Sequence, residues 1–150
     1  MRLVIYTDGG CSGNPGPAAI GIVITRDGQT IKEISKAIGQ GTNNIAEYTA
    51  VVYALQEALL LNASDVLINT DSELMARQIN GQYAVKHGNI KPLFDQIKDL
   101  SGRFKSVKVT HVPREHNAPA DKLARQALKT SQDDRPDASG IGEESPSSAG

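Results

Sequence analysis

The sequence predicts an α/β fold: a mixed five-stranded sheet, antiparallel over its first three strands and parallel afterwards, with helices on both faces. Two observations carry this reading. Strand-type and helix-type segments follow the order βββαβααβα, which opens as a meander and then alternates. The apolar period also changes, from alternation in the opening segments to a three- and four-residue recurrence over residues 44–61.

The elements follow in order. "LVIYTD" (3–8) alternates and is rich in β-branched side chains, so it reads as a strand ending near Asp8. "AAIGIVITR" (18–26) and "QTIKEISKAI" (29–38) are the next two strands, with Asp27-Gly28 as the hairpin turn between them. The long helix places Ile45, Tyr48, Val51, Val52, Leu55, Ala58 and Leu59 at helical spacing. "DVLINTD" (65–71) is a buried-type strand ending at Asp71, and "SELMARQI" (72–79) is a short helix stopped by Gly81. "IKPLFDQIKDL" (90–100) is a helix and "FKSVKVTHV" (104–112) a strand. "APADKLARQALK" (118–129) closes the fold as a helix with Pro119 in its first turn.

Composition narrows the function. The 150 residues suit one domain, and 39% hydrophobic with 22% charged residues describe an ordinary globular chain. With no Trp and few other aromatics, base-stacking platforms do not dominate any binding surface. Cys11 is the single cysteine, so neither an internal disulfide nor a cysteine zinc cluster is available, and a reducing, cytoplasmic setting is the default. Asp8 interrupts the first apolar run too early for a signal peptide, and no stretch reaches the length of a membrane span. The expectation is a cytoplasmic monomer with no membrane partner and no small-molecule cofactor. The net charge of −1 conceals a split. Residues 1–130 hold fifteen Lys and Arg against twelve Asp and Glu, whereas 131–150 form an acidic Ser/Pro/Gly-rich segment with the composition of a disordered tail. A mildly basic domain permits a nucleic-acid partner.

Four carboxylates stand at element ends. Two strands both finish in Thr-Asp, and if they lie parallel side by side, Asp8 and Asp71 emerge together at the edge where open α/β sheets bind ligands. Two like charges that close are costly unless a cation or a shared proton relieves them, and hard oxygen donors suit Mg²⁺ or Mn²⁺. Glu47, in the first turn of the long helix, could point back over the same edge. It also forms a capping box with Asn44 as N-cap, which explains it equally well. Asp121 sits in the first turn of the last helix, where the helix dipole favours an acid. Each acid alone has a structural explanation; four on one edge would be destabilising without metal. The loop "GGCSGNPGP" that follows Asp8 would let backbone approach a ligand closely, although glycine-rich turns are common and this one lacks the ending and the helix of a Walker loop.

"TDGGCSGNPGP", "TNNIAE", "TDSE" and "REHNAPADKLA", in this order and at these distances, resemble ribonuclease H type 1 over residues 2 to about 129. The resemblance implies the ribonuclease H fold and a nuclease that cuts the RNA strand of RNA–DNA hybrids, leaving 3′-hydroxyl and 5′-phosphate ends, with two Mg²⁺ or Mn²⁺ ions. It implies that Asp8 bridges both ions, that Asp121 joins it on the ion activating water, and that Glu47 and Asp71 complete the ion at the leaving oxygen. That assignment agrees with the need for a charge at both the entering and the departing oxygen of a phosphodiester. Substrate contacts carry over to Cys11, Asn14, Thr42, Asn43 and Asn44, with Glu73 nearby; Asn43 and Asn44 would also serve as helix caps.

Two departures from the family pattern matter. Some members carry a basic, Trp-containing protrusion after the short helix. Here "NGQYAVKHGNIKP" spans that region, and Lys86, His87 and Lys91 are its basic groups, so affinity should be lower and less steeply salt-dependent. Many members also have a Gly-His in the loop after the last strand, where this chain has Arg114 and Glu115; His116 is the candidate substitute, and His111 reads as structural. A catalytically silent hybrid-binding module would be expected to have lost one of the four acids, and all are present. DNA exonucleases and junction resolvases of the same fold share a strand-end Asp but not "SGNPGP" together with "TNNIAE".

Overall fold

Alternation in the opening residues produces what a period of two dictates: Leu3, Ile5 and Thr7 are buried, whereas Val4, Tyr6 and Asp8 are only partly so and Arg2 is exposed. The computed structural model describes residues 1–85 and 88–133. Its elements are β1 (Arg2–Cys11), β2 (Gly16–Arg26), β3 (Gln29–Gly41), α1 (Asn43–Leu60), β4 (Asp65–Thr70), α2 (Glu73–Ile79), α3 (Lys91–Ser101), β5 (Ser106–His111), a 3₁₀ turn (Arg114–Asn117) and α4 (Ala118–Asp133). The sheet order is β3-β2-β1-β4-β5. β1 and β3 pair antiparallel with β2, while β4 runs parallel to β1 and β5 parallel to β4, which is the mixed sheet the element order predicts.

Register decides what the two faces bury. Ile5 lies opposite Ile24 on one side and Ile68 on the other, so these point the same way, and Leu3, Ile20, Ile22 and Val66 join them. This face packs on Tyr48, Val51, Val52 and Leu55 of α1, with Met75 and Ile79 of α2 and Ile97 of α3 in the same core. The opposite face is covered by α4 through small residues, Ala120, Ala124 and Ala127. Ser35 of β3 fixes that helix by donating from its hydroxyl to the Leu123 carbonyl at 2.6 Å. Between β2 and β3, Asp27 and Gly28 both take positive φ (51° and 81°), the conformation of the tight hairpin the sequence predicts.

Three local expectations need correction. β1 does not end near Asp8: Gly9, Gly10 and Cys11 remain paired with Ile20, Ala19 and Ala18, because the ladder with β2 holds residues whose own strand preference is weak. Asn44 is not the N-cap of α1. Thr42 is, with extended backbone and its hydroxyl accepting from the Ile45 amide at 3.1 Å. The helix therefore starts earlier, Glu47 falls in its second turn, and the capping box does not form. Replacing the cap, Thr42→Ala, is expected to cost about 1 kcal/mol and lower the melting temperature by about 3 °C, measurable by thermal denaturation. Finally, α4 runs to Asp133, past the end at Lys129 read from the sequence, since nothing in "TSQD" breaks a helix. The remainder of the expected tail, 134–150, and the basic residues Lys86 and His87 lie outside the described residues. No described helix is long and apolar enough to cross a membrane.

Candidate active site

The site begins where two parallel strands stop pairing. The β1–β4 ladder ends at Tyr6 opposite Asn69, so Asp8 and Asp71, each two residues further on, lie just past the point where the parallel pairing stops. The turn after β4 is shaped by Thr70, whose hydroxyl accepts from the Ser72 amide at 3.0 Å, and Ser72 in turn caps α2 by accepting from the Met75 amide at 3.2 Å.

The other two acids arrive on helices, and two glycines let them. A methyl group on Gly9 would collide with the Ala46 carbonyl and stand 2.6 Å from the Glu47 nitrogen. The bare backbone of Gly9 thus admits α1 close enough to bring Glu47 beside Asp8. Gly21 is the direct partner of Asp8 across the β1–β2 ladder, so both point to the same face. A methyl there would collide with the Ala120 carbonyl and stand 2.6 Å from the Ala124 nitrogen, in the first turns of the helix that carries Asp121. One glycine of the opening loop therefore serves helix packing, a role different from the ligand approach expected for it.

Asp8, Glu47, Asp71 and Asp121 together line a cavity of about 360 Å³, along with Cys11, Asn43, Arg114 and Arg125. Burial, a hydrogen bond with Asp121 and the charges of Asp71, Asp121 and Glu47 push the Asp8 carboxyl up to about 8. Glu47 is pushed up to about 7 by burial and by the Asp71 charge, against a hydrogen bond from Ser72 that lowers it. Two guanidinium groups offset part of the remaining charge: Arg125 Nε is 2.9 Å from Asp121 Oδ2, and Arg114 Nε is 4.0 Å from Asp71 Oδ2. Among the described residues no three acidic, His or Cys groups are already drawn tightly enough to enclose an ion. The donor set itself, four carboxylates with no lysine in the lining, fits a hard divalent cation.

The loop after Asp8 is stitched to the start of α1. The side-chain oxygen of Asn43 accepts from the Cys11 amide at 3.1 Å, the Cys11 thiol donates to the Gly13 carbonyl at 2.6 Å, and the side-chain oxygen of Asn14 accepts from the Asn43 amide at 3.1 Å. Both amide oxygens are thereby engaged, which leaves the NH₂ groups of Asn14 and Asn43 to donate outward. The other expected contacts are engaged elsewhere or open to solvent. Thr42 spends its hydroxyl on the cap, Asn44 is exposed in the first turn of α1, and Glu73 is exposed and paired with Arg77 at 2.8 Å. His116 is exposed on the 3₁₀ turn and does not line the cavity, whereas Arg114 of the same turn does.

Sequence reasoning missed two residues. Arg125 was visible only as an i,i+4 partner of Asp121 on α4. Asn117 is fully buried, and its NH₂ donates to the Thr7 carbonyl at 2.9 Å, tying the chain that leads into α4 to the residue before Asp8. A polar residue beside a helix-opening Ala-Pro gives no sequence signal of burial.

Residues 6–127 match a family model described as reverse transcriptase-like. A bifunctional protein of Mycobacterium tuberculosis is 38% identical over the whole chain, which spans 43% of that protein's length. The ribonuclease HI of Halobacterium salinarum is 37% identical over 85% of the chain and 64% of its own length. The crystal structure of the halophilic enzyme superimposes with a TM-score of 0.84, over 87% of this chain and 99% of that one. The LC11 ribonuclease H1, isolated from compost and solved in complex with an RNA/DNA hybrid, is 40% identical with a TM-score of 0.83, over 87% of this chain and 99% of its own.

Proposed function

We propose that this chain, which belongs to the ribonuclease H family, hydrolyses the RNA strand of RNA–DNA hybrids and leaves 3′-hydroxyl and 5′-phosphate ends. The observation that carries the reading is the gathering of Asp8, Glu47, Asp71 and Asp121 around one cavity from β1, α1, the turn after β4 and α4. Support comes from the compost relative, whose structure holds an RNA/DNA hybrid. Those four carboxylates would hold two Mg²⁺ or Mn²⁺ ions. When bound, the ions supply charge at the attacking water and at the departing oxygen of a phosphodiester.

The chain's own contribution is placement and recognition. Gly9 and Gly21 hold the helix-borne acids against the strand-borne ones, and Asn117 fixes the backbone just before Asp8. The Cys11–Asn14–Asn43 network rigidifies the loop, so that amide donors face a nucleic-acid strand with little ordering cost. Such donors on one edge, with Thr42, Asn44 and Glu73 nearby, would read 2′-hydroxyls, the feature that separates RNA from DNA. Residues 1–130 would act as the catalytic unit, as a monomer in the cytoplasm.

The test is cleavage of a labelled RNA–DNA hybrid beside DNA duplex and double-stranded RNA of the same sequence, with and without Mg²⁺. The RNA strand of the hybrid alone should be cut, only with metal, and the products should carry 5′-phosphates. Equal cutting of the DNA duplex would overturn the assignment.

A further inference from the structure

The four acids of the cavity are not neutralised alike. Asp71 and Asp121 each have a guanidinium against them, whereas Asp8 and Glu47 have none among the described ion pairs. Both arginines line the cavity itself, and both are largely exposed, with 81% of the Arg114 and 72% of the Arg125 side chain accessible. Arg125 pairs with Asp121 at i,i+4 on α4, whereas Arg114 reaches Asp71 from the 3₁₀ turn, so helix pairing accounts for only one of the two. A long, solvated side chain held by one carboxylate is a movable counter-charge, because leaving that carboxylate sacrifices little.

We propose that Arg125, assisted by Arg114, is an exchangeable counter-ion of the acid cluster: it neutralises Asp121 while the cluster is unloaded, competes with a divalent cation for that carboxylate, and once displaced is free to take a phosphate of the nucleic acid. The inference rests on the hybrid-nuclease reading given above. Guanidinium suits both partners, since its planar fork matches carboxylate and phosphate equally. Loading of the cluster would then prepare the cavity's edge for a polyanion, and cation binding and nucleic-acid binding would reinforce each other through one side chain.

The experiment is calorimetric titration of Mn²⁺ into the full chain without nucleic acid, for wild type, Arg125→Ala, Arg125→Lys and Asp8→Asn. Arg125→Ala should bind Mn²⁺ about two- to fivefold more tightly, because the competitor is gone, with Arg125→Lys near wild type. The KM for hybrid at saturating metal should move the opposite way, rising about two- to fivefold in Arg125→Ala. Unchanged or weaker Mn²⁺ binding in Arg125→Ala would overturn the exchange and identify the pair as an ordinary helix contact. If Asp8→Asn binds Mn²⁺ as well as wild type does, the metal-centre reading itself fails, an outcome distinct from failure of the exchange alone.

Discussion

Asp8→Asn is expected to abolish cleavage, by at least ~10³-fold or about 4 kcal/mol of barrier, while making the metal-free protein more stable at neutral pH. The two effects share one cause. Asp8 is buried at the cluster, and burial first, then its hydrogen bond with Asp121 and the charges of Asp71, Asp121 and Glu47, raise its proton affinity. That crowding is what a pair of divalent ions would relieve and what an amide would relieve differently. The amide removes the charge but cannot replace the ligand. Loss of activity with a gain in stability is the signature of a strained functional site, whereas a structural acid would lose stability when replaced.

The pH dependence follows from the direction of the shifts. Asp8 and Glu47 hold their protons up to about 8 and about 7 in the folded chain, whereas an unfolded chain releases them near the ordinary carboxyl values of 3.8 and 4.5. Between those limits the folded state binds more protons, so stability falls as pH rises from about 4 to about 8. Without metal, the melting temperature of the wild type should drop across this window, and that of Asp8→Asn should drop less. The two should coincide near pH 4 and differ by roughly 5 °C near pH 8. Adding Mg²⁺ at pH 8 should raise the wild type and leave the variant unmoved. Calorimetric scans with EDTA and with Mg²⁺ would decide it; an Asp8→Asn protein that melts below wild type at pH 8 in EDTA would contradict the electrostatic account.

How much of this was legible beforehand differs by level. The strand order followed from periodicity, and the pairing of Asp8 with Asp71 followed from two parallel strands of similar ending, which the register of Tyr6 with Asn69 bears out. Which residue caps α1 was not legible, because Thr42, Asn43 and Asn44 are all good caps and only the end of β3 at Gly41 selects among them. His116 follows from proximity in the chain alone; in the structure it is exposed on the 3₁₀ turn, and Arg114 of the same turn lines the cavity. Asn117 was invisible for a related reason: its burial depends on Thr7, a hundred and ten positions away. Local chemistry reads from the sequence; the selection among equivalent local choices is made by distant packing.

Gly21→Val is expected to be the most damaging single change outside the acids, and it tests the claim that backbone proximity builds the site. The position is central in β2, has no special dihedral requirement, and by strand preference alone should welcome a β-branched residue. A side chain there has no room. Its first carbon already collides with the Ala120 carbonyl and stands 2.6 Å from the Ala124 nitrogen and 3.0 Å from the Leu123 Cβ, all of them in α4. Backbone cannot move aside as a flexible side chain can, so α4 must lift as a unit and carry Asp121 away from Asp8. Gly21→Ala should cost about 1–3 kcal/mol, and Gly21→Val more, approaching loss of the fold. Because the displaced element bears a metal ligand, folded Gly21→Ala should also bind Mn²⁺ more weakly than wild type. Gly9→Ala should act the same way through α1, displacing Glu47 where the Ala46 carbonyl is in the path. A comparison separates packing from catalysis: Thr42→Ala, which weakens α1 without moving it from the sheet, should lower stability and leave Mn²⁺ affinity as it is. If Gly21→Ala melts and binds metal like wild type, α4 is not held by backbone contact, and the position of Asp121 needs another explanation.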